Sequence, residues 1–202
     1  MAAEQTHEVI FGFSPIWVAA TLIGAGLMIF AGVLNQEAAI RGIDFNTLGL
    51  LTGMMVVVAV SRRSGVFQFV AVWSAKKVQA RPWGILVMLS LVTALFSALL
   101  DNVTTVLLIA PVTLLITEEL KVTPYPFLFA TIFASNIGGT ATLIGDPPNI
   151  MIGSAVGLSF NDFLLNLAPI TPVILLVTLG VIYMVWGRGM RASDEARQRV
   201  MS

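Results

Sequence analysis

Ser135-Asn136-Ile137-Gly138-Gly139-Thr140-Ala141-Thr142-Leu143-Ile144-Gly145-Asp146-Pro147-Pro148-Asn149 is the stretch that decides how this chain is read. It places small, polar and helix-breaking residues between two strongly apolar runs, in a sequence that is 57% hydrophobic. Unpaired backbone groups are not tolerated against lipid. Irregular backbone at membrane depth is expected only where protein or a wet cavity surrounds it. The run is therefore a candidate ion or substrate site within an all-α polytopic membrane protein.

The composition sets the frame for that reading. Only 11% of the 202 residues are charged, against about 25% in soluble domains, and the mean hydropathy is +0.91. There are no cysteines, which excludes disulfides, thiolate nucleophiles and Cys-ligated metals. The single histidine, His7, lies in a polar leader (residues 1–14), so a His-based catalytic centre is not expected. That leader carries Glu4 and Glu8 and no Lys or Arg, unlike a signal peptide, and the first apolar segment is expected to be retained. No enzyme activity, cofactor or nucleic-acid partner is expected. No Gly-x-x-x-x-Gly-Lys-[Ser/Thr] loop is present, and no Lys or Arg stands near Gly138 to cradle phosphate.

Working outward, residues 15–187 read as one membrane domain and residues 188–202 as a charged cytoplasmic tail, partly disordered. Pro15–Leu34 is a run of about the 20 residues a span needs. Phe45–Val60 is a second, shorter span, closed by Arg62 and Arg63. In Ser64–Gln79, Val66, Phe69, Val70 and Trp73 recur at helical spacing while Gln68, Lys76 and Lys77 are polar, which reads as an interfacial helix. The alternative there is a third, short span. Trp83–Leu100 and Val103–Thr117 form apolar arms around Asp101-Asn102. The segment 124–151 is a broken span, and Phe163–Trp186 is a long final one. With the N-terminus inside, Arg62, Arg63, Lys76, Lys77, Arg81, Lys121, Arg188, Arg191, Arg197 and Arg199 face the cytoplasm and only Arg41 lies outside. The count is four spans, an interfacial helix, a re-entrant hairpin and a broken helix, in a cell inner (plasma) membrane with both termini cytoplasmic.

Two constellations can carry chemistry. A carboxylate such as Asp101 costs about 2.5–3.5 kcal/mol at the bilayer centre and marks function by default. One reading makes Asp101-Asn102 an exposed turn between two full spans. The other makes it the tip of a re-entrant hairpin, where Asp101, Asn102 and the free N–H groups of the second arm hold ions and Thr104 and Thr105 add hydroxyls. The arms, about 18 and 15 residues, are marginal for two full crossings. In the second constellation, Gly138 and Gly139 release the helix and allow close backbone approach. Thr140 and Thr142 offer hydroxyls, Asp146 a carboxylate, and Pro147-Pro148 remove two donors. Freed carbonyls suit Na⁺ and half-helix N-termini suit anions. A helix kinked by Gly and Pro, or a loop outside the membrane, would leave the same residues structural.

The pairing of Leu99-Leu100-Asp101-Asn102-Val103-Thr104-Thr105-Val106-Leu107-Leu108 with the 135–149 run resembles the ion transporter superfamily. It is most similar to the ArsB/NhaD branch of arsenite permeases, sodium/proton antiporters and the melanosomal P protein. Ile43-Asp44-Phe45-Asn46-Thr47-Leu48-Gly49-Leu50-Leu51 also resembles the start of that family's second span. The resemblance implies that Asp101-Asn102 tips a re-entrant hairpin and that 138–149 is the unwound part of a broken helix. It places an ion site between them, with Asn136 and Asn149 among its residues and a candidate Na⁺ position at Asn102, Gly139, Thr142 and Asp146. Family members have two inverted halves, and this chain resembles the N-terminal one alone. The function so implied is that of a secondary ion transporter, or half of one, driven by Na⁺ or H⁺. It would move an inorganic anion such as arsenite or exchange Na⁺ for H⁺, beside a complementary C-terminal half. The alternative is a non-transporting subunit or an inactive truncated fragment.

Overall fold

The computed structural model describes residues 15–201, so the polar leader, 1–14, lies outside the described residues. Those residues are helical, with no strand among them. They divide into two units, the first ending at Phe45 and the second beginning at Asn46.

In the first unit, α1 (Pro15–Phe30) opens on a proline, which suits a first turn. It ends at Phe30, four residues before the expected boundary, because Gly32 takes a left-handed φ of 73° and turns the chain. Helix α2 (Gln36–Arg41) is capped by Asn35, whose side chain accepts from the Ala38 N–H at 2.7 Å.

The second unit opens within α3 (Phe45–Arg63), which meets α4 (Val66–Lys77) at a 63° bend. Gly65 makes that bend, with φ 72°. Helices α5 (Pro82–Leu99) and α6 (Asn102–Glu119) form the hairpin. Then come α7 (Tyr125–Gly139), α8 (Pro147–Val156), α9 (Phe160–Asn166), α10 (Thr171–Trp186) and α11 (Asp194–Met201). Three stretches are long and apolar enough to cross a membrane: Pro82–Leu99, Asn102–Glu119 and Thr171–Gly189. The bent α3–α4 pair is a fourth if counted as one span.

Three expectations change. The second hairpin arm has 18 residues, not 15, because Asp101 caps its start and Glu118-Glu119 continue its last turn. Each arm is thus about 27 Å long, and length alone no longer separates a re-entrant hairpin from two crossings. The final span is not one helix. Pro169 and Pro172 lack the N–H a continuous helix needs, so residues 167–170 form turns between α9 and α10. Finally, the tail carries an ordered helix. Ala196 of α11 is buried, and the Arg197 guanidinium donates to the Gln79 carbonyl at 3.2 and 3.3 Å. That carbonyl belongs to a turn in which Gln79 and Ala80 both have positive φ.

Packing centres on α7, whose small residues Ala130, Ala134 and Gly138 recur every fourth position along its buried face. Helices pack closely in membranes through such residues. Phe127, Ala130 and Ala134 join Ile85, Leu86, Leu89, Val112, Ile116, Leu175, Leu179 and Ile182 in one core. A smaller cluster of Val58, Phe67, Leu108 and Ile109 lies beside Phe96. The Gly49–Gly53 pair, by contrast, contacts nothing that a methyl group would disturb. Buried hydroxyls are largely satisfied within their own helices: Ser90 donates to Leu86, Thr113 to Ile109 and Thr131 to Phe127. An apolar surrounding demands such pairing.

Candidate functional site

Asp101 and Asn102 sit where α5 ends and α6 begins. Asp101 is the N-cap of α6: its carboxylate accepts from the Thr104 N–H at 2.7 Å, and the Asn102 side-chain oxygen accepts from the Val103 N–H at 2.8 Å. These bonds satisfy donors that the first helical turn leaves free. The negative charge also faces the positive end of the helix dipole.

The hairpin tip is tied to the broken helix by three long-range hydrogen bonds. The Ser97 hydroxyl donates to the Ser135 carbonyl at 2.6 Å. The Asn102 amide donates to the Asn136 side-chain oxygen at 3.0 Å. The Thr142 hydroxyl donates to the Ala98 carbonyl at 2.5 Å and accepts from the Gly145 N–H at 3.1 Å.

Glycine makes this contact possible by its size. A Cβ on Gly138 would overlap the backbone of Ala94. One on Gly145 would lie 2.5 Å from the Gly139 carbonyl oxygen and 2.7 Å from that of Ser97, and one on Gly139 would lie 2.6 Å from the Gly145 carbonyl oxygen. Neither Gly138 nor Gly139 releases the helix, since both lie inside α7, which runs on to Gly139. None of the three has a positive φ. Their role is close approach, the other half of the expectation.

The break itself covers residues 140–146. Asn149, on the first turn of α8, reaches back to it. Its amide donates to the Thr142 carbonyl at 2.9 Å and, more weakly, to those of Gly139 and Thr140 at 3.4 Å. One side chain thereby satisfies carbonyls that the end of α7 leaves without partners. Asp146 holds the N-cap position of α8 but makes no capping bond. Its carboxylate instead lies within hydrogen-bonding reach of Asn102 and near the charge of Asp101.

The structure therefore brings Asp101, Asn102, Asn136 and Asp146 together where two helices end, α5 and α7, and two begin, α6 and α8. Among the expected site residues, Thr142 and Gly139 are engaged in the scaffold, as is Asn149. The Thr140 hydroxyl donates to the Ile137 carbonyl in the last turn of α7. Thr104 contributes its N–H to the Asp101 cap. Thr105 is fully buried, and its hydroxyl has no protein partner. Asn136 and Thr140 are exposed, so the polar face of the break is open on one side. A cavity of about 250 Å³ adjoins it, lined by Asn102, Val103, Val106, Ile132 and Asn136 among others.

The sequence alone does not mark Ser97 and Ala94 as contributors. A signal exists all the same: Ser90, Ala94 and Ser97 place small residues on one face of α5, opposite the small residues of α7. Among the described residues, no three His, Cys, Asp or Glu side chains cluster as a metal site would require.

Comparison with known proteins agrees with this architecture. The citrate transporter family matches residues 9–200. An uncharacterized transporter of Mycobacterium tuberculosis is 53% identical over 164 residues, which is 81% of this chain and 38% of its own length. The P protein of Homo sapiens is 41% identical over 170 residues, 81% of this chain and 20% of its own. The magnetosome protein MamN of Paramagnetospirillum magneticum is 35% identical over 178 residues, 86% of this chain and 41% of its own. The chain thus spans about two-fifths of the length of these bacterial relatives. With its apolar helices and a match along nearly all its length, this multi-pass membrane chain belongs to the citrate transporter family.

Proposed function

We propose that the chain is the N-terminal half of a secondary ion transporter, and that its hairpin tip and broken helix hold the coupling cation, Na⁺ or H⁺. The observation that carries this is the meeting of Asp101, Asn102, Asn136 and Asp146 in a region without positive side chains. No Lys or Arg occurs between residues 82 and 120 or between 122 and 187. Two carboxylates with amide and carbonyl oxygens suit a hard cation. An anionic substrate, whether arsenite-like or the citrate of the family's name, would rely here on the N-termini of α6 and α8 alone.

The ties between tip and break bear on depth. The tip shares whatever level the break occupies. Helix α7 climbs about 22 Å before the break, which supports a level within the hydrocarbon for both, and with it a re-entrant hairpin. The lopsided basic residues support an orientation with both termini cytoplasmic, in a plasma membrane. The open face at Asn136 and Thr140 is where a complementary half completes the site.

The test is flux in proteoliposomes. The chain is reconstituted alone and together with the C-terminal remainder of the mycobacterial relative. Na⁺- or H⁺-coupled flux is expected only from the pair, and Asp146→Asn is expected to remove it. Robust saturable flux from the chain alone, or wild-type flux in Asp146→Asn, would overturn the reading. The reading that the chain is a non-transporting subunit predicts no flux from either sample.

A further inference from the structure

At the opposite end of the bundle from the site, α6 ends, α7 begins and α10 ends together. Between them lies a cavity of about 370 Å³, lined by Lys121, Thr123, Pro126, Trp186, Met190 and Arg191 among others. No carboxylate lines it. Among the described residues, neither Lys121 nor Arg191 forms an ion pair. The acidic residues nearest Lys121 in sequence are Glu118 and Glu119, and those nearest Arg191 are Asp194 and Glu195; Glu119 is 4.0 Å from Arg199, and Asp194 is 3.0 Å from Arg197.

Three features of this pocket fit a phosphate. Lys121 occupies the left-handed position after α6, with φ 54°, where glycine is the usual residue. Its N–H bonds the Glu118 carbonyl and the next N–H bonds that of Thr117, so the turn holds the lysine in place. The start of α7 adds the positive end of a 15-residue helix. Trp186 stacks on Phe129 at 5.9 Å and walls the cavity on its apolar side. Tryptophan at a span's end sits at headgroup level, where the abundant phosphate belongs to lipid.

We propose that this pocket binds the headgroup of an anionic glycerophospholipid, its phosphate between Lys121 and Arg191 and its acyl chains running down past Trp186. The cations fix the headgroup, and the lipid in turn seals the seam between the ends of α6 and α10 and the start of α7. This site is separate from the cation site and does not depend on it.

The experiment uses the full chain in nanodiscs and measures retained lipid by native mass spectrometry, with phosphatidylglycerol against phosphatidylcholine. Phosphatidylglycerol is expected to be retained preferentially. Either Lys121→Gln or Arg191→Gln is expected to weaken retention about fivefold and the double variant about twentyfold, following the gain per basic residue near an anionic surface. Lys76→Gln, outside the cavity, serves as the control, and unchanged helicity by circular dichroism confirms that each variant folds. Equal retention by the double variant and the wild type would overturn the proposal. So would displacement of the lipid by millimolar inorganic phosphate, which would mark a site for a free anion.

Discussion

Among the described residues, the two proline-marked breaks at 140–146 and 167–170 are held in different ways. The second is closed by its own neighbours: the Leu167 N–H bonds the Phe163 carbonyl, the Ile170 N–H that of Leu167, and the Thr171 hydroxyl that of Ala168. The first is held from a distance, by Thr142 to Ala98 across 44 residues and by Asn149 to three carbonyls. It also draws two carboxylates, Asp101 and Asp146, to one place. A broken helix is thus not by itself a site. The first break is a candidate for one because another element supplies its missing hydrogen bonds and carboxylates gather beside it.

That contrast can be broken by substitution. Gly138→Ala or Gly145→Ala drives a methyl group into the backbone of the hairpin or of the break. A loss of about 3 kcal/mol or more is expected, at the upper end for overpacking, read by denaturant unfolding in detergent. Thr142→Val removes the tie to Ala98 and leaves that carbonyl unsatisfied, with an expected loss of about 1–3 kcal/mol. At the second break, Pro169→Ala is expected to stay within about 0.5 kcal/mol of wild type. Similar losses at both breaks would erase the distinction.

A smaller effect separates loop from span. Asp162 closes a capping box with Ser159 at the start of α9. Hydrogen bonds from the Ser159 hydroxyl and then its N–H hold the carboxyl below its ordinary value. A lowered carboxylate contributes stability above its unfolded pKa and loses it as pH falls through the folded one. The first turn of α9 is therefore expected to fray below about pH 4, seen as faster hydrogen exchange at Asp162. Exchange that stays flat down to pH 2 would contradict the cap.

The sequence carries much of this, for reasons visible in particular residues. Asp101-Asn102 and Gly138–Asn149 stand out because charge, glycine and proline are costly in an apolar chain, so composition alone exposes them. The helical tail and the divided last span are not legible there. A tail rich in Arg, Asp and Glu looks solvated until a fold offers Gln79 as a partner, and Pro169 sits close enough to a helix start to pass for one. Ser97 and Ala94 stay hidden because small residues in an apolar run carry no signal until a second helix is seen to lie against them. The division of labour among threonines is equally invisible, since only the fold shows that Thr142 is spent on Ala98.

The central claim is that the hairpin tip lies at membrane depth against the first break. A cysteine introduced by Asn102→Cys, in a chain with no native cysteine, reports on it directly through its rate of reaction with an impermeant thiol reagent added from outside. Arg41→Cys, on the exposed helix α2, sets the rate for an accessible site. Much slower labelling at 102 than at 41 is expected. Equal rates would contradict the claim and make Asp101-Asn102 an external turn between two full spans.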